Sequence, residues 1–421
     1  MSVGQRRALS MPRTPGRIFA DGAPATADAL VAALRAPHID HDAAESLTHP
    51  FHGYPARLHP ATARVLVELI GGTPAGSAPL VDPFCGSGTV LVEARAAGVP
   101  AVGVDLNPLA VLVARAKTWT AAMPRRKQLH RIGHEIAGLV LAAGKAARRS
   151  GADAMPLRRP AGFDPNARNR RLARWFAPHV RRELELLASH LDRLRDTDAE
   201  IADVLTACLS AILYKVSSRA SDTDPTWVDR NIPRGAAARH FAQRVDLLSS
   251  GLHDMARAPG AAPRVVEHDA RRLGEVVPDG SAAGVITSPP YAGTYDYAEH
   301  QRLRFDFLAL RHRELDAGEL GSRRSFETDP EAGQAWRAGL AAAVDAIARV
   351  LAPGRAAALV IGDSVARNRA IYALDDVRGA ITDDLVLEAW ASQHRPMLGG
   401  REHRAFGDRP KAEHILVLRR R

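Results

Sequence analysis

The amino-acid sequence predicts an α/β protein with a mostly parallel sheet, built from both ends of the chain and interrupted by a large helical insertion. Three observations predict it. From about 58 to 119 the text alternates amphipathic helix with short apolar strand, the rhythm of βαβ units and a parallel sheet. Between about 120 and 258 apolar residues recur at helical spacing. After 259 strand-like runs return and continue to the C-terminus.

Residues 1–45 read as a mobile N-terminal tail, basic at its start and without an apolar segment followed by a cleavage site. In the first half of the sheet-bearing domain, 46–119, "PATARVLVELI" is an amphipathic helix and "APLVDPF" a strand. There "TVLVEARAAG" is a helix closed by Gly98, and "PAVGVDLN" a second strand. The insertion, 120–258, carries helices such as "VRRELELLASHLDRL" and "EIADVLTACLSAILYKVSS", broken by a proline- and arginine-containing loop. The second half, 259–421, supplies the strands "PRVVEHD", "AAGVITS", "AAALVIGDS" and "AEHILVLRR".

At 421 residues the chain can bury a substantial core, and no run reaches the roughly eighteen apolar residues of a membrane span. Two cysteines, Cys85 and Cys208, lie far apart, which argues against a disulfide framework and against a four-ligand zinc site. A reducing, cytoplasmic setting is expected. The formal charge of +10 points to a polyanionic partner, or equally to a composition rich in alanine and arginine throughout. No metal constellation emerges from the 17 histidines.

The stretch "VDPFCGSGTVLVEA" ends a strand at Asp82. It passes through Pro83, Phe84 and Cys85, turns at Gly86 and Gly88, and opens a helix at Thr89. A glycine turn between a strand and a helix N-terminus, at the carboxyl edge of a parallel sheet, is a place where nucleotide-like ligands bind. Asp105 ends the next strand, where a carboxylate can accept hydrogen bonds from both hydroxyls of a ribose. Asp269 ends a third strand after the insertion, in position to reach an adenine amino group. Leu91 stands where a dinucleotide fingerprint has its third glycine, which weakens a pyrophosphate reading. A plainer account remains open: the glycines merely permit a tight turn, and Asp82 and Cys85 are turn and core residues.

A second constellation, Ser288-Pro289-Pro290-Tyr291, follows a strand-like run. Two prolines fix φ and remove two N–H donors, so the loop's carbonyls can face an exocyclic amino group without competition. Ser288 adds an acceptor, and Tyr291 offers a flat face for a flipped base. Taken alone, Pro-Pro-Tyr is an ordinary rigid turn.

The motifs "DPFCGSGT", "GVDLNP" and "TSPPY", in this order, resemble those of the amino-directed DNA methyltransferases, which transfer a methyl group from S-adenosylmethionine to adenine N6 or cytosine N4. The resemblance implies a Rossmann-like methyltransferase fold with a mostly parallel seven-stranded sheet and S-adenosylmethionine as cofactor. It places Asp82, Pro83, Phe84, Gly86, Gly88 and Thr89 around the methionine end, with bare backbone at the two glycines lying against the sulfonium. It places Asp105 and Asn107 at the ribose, Asp269 at the adenine, and Ser288, Pro289, Pro290 and Tyr291 at the target amine. "FHGYPARLHPATARVLVELI" resembles the family segment that covers the methionine part. Serine at the first catalytic position leans towards cytosine N4 in DNA, in a bacterial restriction-modification role. Adenine N6, guanine N2 in RNA, and an inactive nucleic-acid-binding descendant stand as alternatives.

The insertion is then the candidate nucleic-acid recognition part. Its basic residues, Arg125 and Arg126 through Arg168, Arg170, Arg171 and Arg174, suit either a phosphate track or a solvated face. A loop with Ser217, Ser218, Arg219, Trp227 and Arg230 mixes hydroxyls, cations and an aromatic, as a base contact or a packed loop would. Tyr295, Tyr297, His300, Arg302 and Arg304 follow the catalytic tetrapeptide. His52 and His59 lie near the presumed cofactor cleft, where a structural hydrogen-bonding role is the commoner one.

Overall fold

The computed structural model describes residues 16–421 apart from 72–76, 151–171, 173, 223, 225, 259 and 398, and omits the side chains of 147–150. Parallel pairing joins β2 (Leu80–Asp82), β3 (Ala101–Asp105), β4 (Arg264–Glu267), β5 (Gly284–Thr287) and β6 (Ala356–Gly362). β2 lies between β3 and β5, with β4 beyond β3 and β6 beyond β5. Antiparallel pairing then adds β10 (Ala412–Arg420), β9 (Leu385–His394) and β1 (Ile18–Gly22) beyond β6. The order is β1-β9-β10-β6-β5-β2-β3-β4. A hairpin of β7 (Ser364–Ala366) and β8 (Arg369–Ile371) stands apart from this sheet.

Strands β2, β5 and β6 are buried along their whole length, as expected for a sheet covered on both faces. On one face Leu66, Leu91 and Val111 pack from α2 (Pro60–Ile70), α3 (Thr89–Ala96) and α4 (Pro108–Lys117). On the other, Trp336, Leu340 and Ile347 pack from α9 (Ala332–Val350). Each such side chain, fully buried, contributes on the order of 1.5–3 kcal/mol. The fold is a doubly wound, Rossmann-like α/β fold. Its strand order runs outward from β2 in one direction and from β5 in the other, so the carboxyl ends of these two strands flank the switch point where ligands bind.

Two sequence expectations are corrected. The sheet has eight strands rather than seven, and the segment through residue 45 holds secondary structure. β1 pairs Ile18 with Gln393 and Gly22 with Ala389, and α1 (Pro24–Ile39) buries Leu30, Ala33 and Leu34. The helix is hard to read in the text because its stripe is largely alanine, whose methyl buries little apolar area.

The insertion holds α5 (Met123–Ser150), α6 (Pro178–Arg195), α7 (Ala199–Ile212) and α8 (Ala236–Met255). Their shared core, including Leu129, Leu187, Leu205 and Phe241, also takes in Phe51, Leu303 and Phe307 from outside the insertion. The bundle is thus packed onto the segments that flank the switch point. No helix among the described residues is long and apolar enough to cross a membrane.

Candidate active site

The loop after β2 is laced to the two neighbouring strands. Asp82 Oδ1 accepts the Thr287 hydroxyl at 2.7 Å and the Phe84 N–H at 3.2 Å. Phe84 N–H also reaches Thr287 Oγ1 at 3.2 Å. Because Thr287 ends β5 and immediately precedes Ser288, one buried threonine ties the glycine loop to the Ser-Pro-Pro-Tyr loop. On the other side, Asp105 accepts the Gly86 N–H through Oδ2 and the Asn107 N–H through Oδ1, both at 2.8 Å. Asn107 in turn caps α4 through Leu109 N at 2.9 Å and donates to the Tyr54 hydroxyl at 3.1 Å.

These residues line one cleft. Asp82, Pro83, Phe84, Gly86, Ser87, Thr89, Asp105 and Asn107 form its wall on the β2–β3 side. Asp269 and Arg271 enter after β4, Ser288 and Pro290 after β5, Tyr54 and Arg57 from the segment before α2, and Tyr297 and Glu319 from after the catalytic loop. Gly88 is not part of the lining. Its φ is +81°, and a Cβ there would meet Ala114 Cβ at 3.0 Å, so this glycine serves the turn and the approach of α4. Of the two glycines only Gly86 presents its backbone to the cleft, where φ is +49° and a Cβ would meet nothing nearer than Tyr54 Cε1 at 3.7 Å.

The electrostatics suit a cationic ligand. Burial pushes the Asp82 carboxyl up to about 7 and Asp105 up to about 6, against the hydrogen bonds each accepts. Burial raises Glu319 to about 7, against the backbone N–H groups of Tyr297 and Ala298. Three carboxyl groups that resist ionisation in one cleft are complementary to a cation that would restore their charge. Ser87 Oγ, buried and lining the same cleft, has no hydrogen-bond partner, as expected of a group that meets a ligand. The residues fit S-adenosylmethionine, whose sulfonium is positive.

This electrostatic arrangement predicts a pH dependence. A bound cation favours the carboxylates, so binding releases protons and affinity rises as pH rises through about 6–7. The cofactor-free chain shows the opposite trend in stability, because a carboxyl whose folded value is raised disfavours the folded state as pH climbs from about 4 towards those values. Calorimetric titration across this range should show tighter binding and net proton release. A flat profile would remove the carboxyl groups from the account.

The Ser288–Tyr291 loop departs from expectation in two respects. Ser288 and Pro290 line the cleft, whereas Pro289 and Tyr291 do not. The Pro290 carbonyl accepts the Trp336 indole N–H at 3.0 Å, which anchors the loop beside Ser288 in the cleft wall. The Tyr291 hydroxyl donates to Glu413 Oε1 at 3.1 Å, and its ring lies so close to β6 that a Cβ on Gly362 would sit 2.7 Å from Cε2. Burial, with Glu413 beside it, keeps this phenol well above its ordinary range.

Asp269 is also placed differently from expectation. Its carboxylate accepts from Arg271 Nε at 2.9 Å and Nη2 at 2.6 Å and from the Arg271 N–H, which holds it below the usual carboxylate range although burial opposes this. The residue lines the cleft as a neutralised pair with Arg271. Both histidines singled out are structural: His52 Nε2 meets Ser210 Oγ at 2.8 Å in full burial, and His59 Nδ1 accepts Ala61 N–H at the start of α2. Tyr54, Arg271, Glu319 and Trp336 were not singled out by sequence. Only Tyr54, inside the "FHGYPARLHP" segment, carried a signal that could have found it.

In the insertion, Arg125 pairs with Asp198 and Glu200, and Arg131 with Glu135. Arg168, Arg170 and Arg171 lie outside the described residues. Arg219 stacks on Trp227 at 4.1 Å and on Trp175 at 5.1 Å, and Arg174 lies 4.8 Å from Trp227. The neighbouring Asp222 pairs with the buried Arg304, so this loop is packed against the segment that follows the catalytic tetrapeptide.

The family model for the RMKL-like methyltransferase domain matches residues 50–146. Residues 50–146 are thus similar to a methyltransferase domain, which implies S-adenosylmethionine as the cofactor. Among curated proteins, "Type II methyltransferase M.MvaI" of Kocuria varians is 43% identical over 74 residues, 18% of this chain and 16% of that protein. The tRNA (guanine(10)-N2)-dimethyltransferase of Methanothermobacter thermautotrophicus is 44% identical over 54 residues, 13% of this chain and 16% of that protein. The chain thus spans about a sixth of the length of each. Among solved structures, TrmN from Thermus thermophilus aligns over 86% of this chain and 49% of its own with 12% identity and a TM-score of 0.34, a likeness too slight to bear on activity.

Proposed function

We propose that this chain methylates an exocyclic amino group of a nucleic-acid base, with cytosine N4 in DNA as the favoured target. One observation carries the reading: Thr287 joins the loop of Asp82 and Gly86 to Ser288, so the cofactor cleft and the amine-facing loop are two walls of one space. When bound, S-adenosylmethionine supplies an electrophilic methyl on a sulfonium. The protein's part is to hold and orient. Asp82, Asp105 and Glu319 offer negative charge to the cation, and Ser87 an unused hydroxyl. Ser288 and the second lone pair of the Pro290 carbonyl accept hydrogen bonds from the amine, which draws its lone pair out of conjugation with the ring. These bonds strengthen as the nitrogen becomes tetrahedral, so they act on the transition state. Cys85 is buried, and burial with Asp105 and Asp82 nearby keeps its thiol well above its ordinary range; direct transfer to an amine requires no thiolate nucleophile.

The DNA reading draws on the motif resemblance. Adenine N6 in DNA is the second base choice. Guanine N2 in RNA is the second substrate class, favoured by the printed name of the archaeal relative. Incubating the purified chain with methyl-labelled cofactor and either DNA or RNA separates them. Label in DNA supports the proposal, label in RNA alone transfers it to the second class, and label in neither refutes it.

A further inference from the structure

We propose that His130, His134 and Asp246 form a binding site for a borderline divalent cation, zinc or nickel, that clips α5 to α8 in the helical insertion. The two histidines lie one helical turn apart on α5, which places their imidazoles on the same face; the ring centroids are 4.4 Å apart. Asp246 comes from α8, more than a hundred residues later. Its Oδ1 meets His130 Nε2 at 2.9 Å and His134 Nε2 at 2.6 Å. The three ligand atoms all lie within 4.8 Å of one another. Around a tetrahedral zinc with bonds of about 2.0–2.2 Å, ligand atoms stand roughly 3.3 Å apart, so small rotations of exposed side chains complete the geometry.

The backbone is arranged for this approach. Gly133, between the two histidines, faces α8 so closely that a Cβ would meet both methyls of Val245 at 2.8 Å. Val245 directly precedes Asp246. A mid-helix glycine is less favourable than alanine, and here it lets α8 approach until the carboxylate reaches the imidazoles. Two imidazoles and a carboxylate form a donor set suited to zinc, nickel or copper rather than to magnesium or calcium, which prefer all-oxygen shells. All three residues are exposed, so water completes the coordination and the ion can enter from solvent. Sequence could not reveal the site, because the third ligand is brought in only by helix packing.

The test is a zinc titration of the full chain, stripped with chelator, against a chromophoric competitor, alongside His130→Asn and His134→Asn variants and their combination. One equivalent of zinc should bind the parent protein and raise its melting temperature, since a ligand that binds only the folded state stabilises it. Each single variant should bind at least ~10–100-fold more weakly, the loss that follows removal of even an outer-shell partner, and the double variant should show no zinc-dependent shift in melting. Magnesium should not compete. Equal zinc binding by the parent and the double variant would overturn the proposal, as would a parent that binds none. The substituted side chains are exposed, so the variants should melt like the metal-free parent.

Discussion

Replacing Ser288 with alanine should lower turnover by about ten- to a thousand-fold while leaving S-adenosylmethionine affinity nearly unchanged. The serine lines the cleft beside the anchored Pro290, and its hydroxyl is the acceptor that the proposed function assigns to the amine. Loss of an acceptor whose bond strengthens in the transition state reduces kcat rather than cofactor binding. Tyr291→Ala should behave differently. It removes a ring packed on Gly362 and anchored to Glu413, so it should loosen the loop that carries Ser288 and lower the melting temperature as well as turnover. Single-turnover kinetics with cofactor affinity measured in parallel would separate the two. Full activity in Ser288→Ala would end the role assigned to this loop.

Asp105→Ala should weaken S-adenosylmethionine binding by about 1.5–3 kcal/mol, the scale of hydrogen bonds to a charged acceptor. The structure adds a second reason for a large effect. Both carboxylate oxygens already accept backbone N–H groups, from Gly86 and from Asn107, so the substitution also releases the glycine loop and the start of α4. Asp105→Asn, which keeps one acceptor oxygen, should lose less. Calorimetry on folded variants decides this, and unchanged affinity in Asp105→Ala would refute the assignment.

The parallel half of the sheet was legible because its strands are short apolar runs, ended by acids at Asp82 and Asp105 and by the Ser-Pro-Pro turn after Thr287. Asp82, Asp105 and Ser288 sit where those strand ends predict. What the text could not show lies in contacts between distant segments. Asp269 ends its strand as expected, but Arg271 two residues on folds back and neutralises it. Trp336 occupies the Pro290 carbonyl from a helix more than forty residues away. Glu319 reaches the cleft from a segment with no motif. The motif resemblance places Gly88 at the methionine end, yet Gly88 stands outside the cleft lining with Ala114 against it. Alanine-rich α1 shows the complementary failure, a helix whose apolar stripe is too faint to separate from its composition.

The central claim is methyl transfer to an exocyclic amine, and nucleoside mass spectrometry on DNA and RNA from cells expressing this chain tests it most directly, with Ser288→Ala as the control. The account predicts N4-methylcytosine in DNA that disappears with the variant. N6-methyladenine instead would change the base and keep the chemistry, because the same acceptors serve either amine. Methylation at a ring carbon, or no methylated nucleoside above the control, would contradict it.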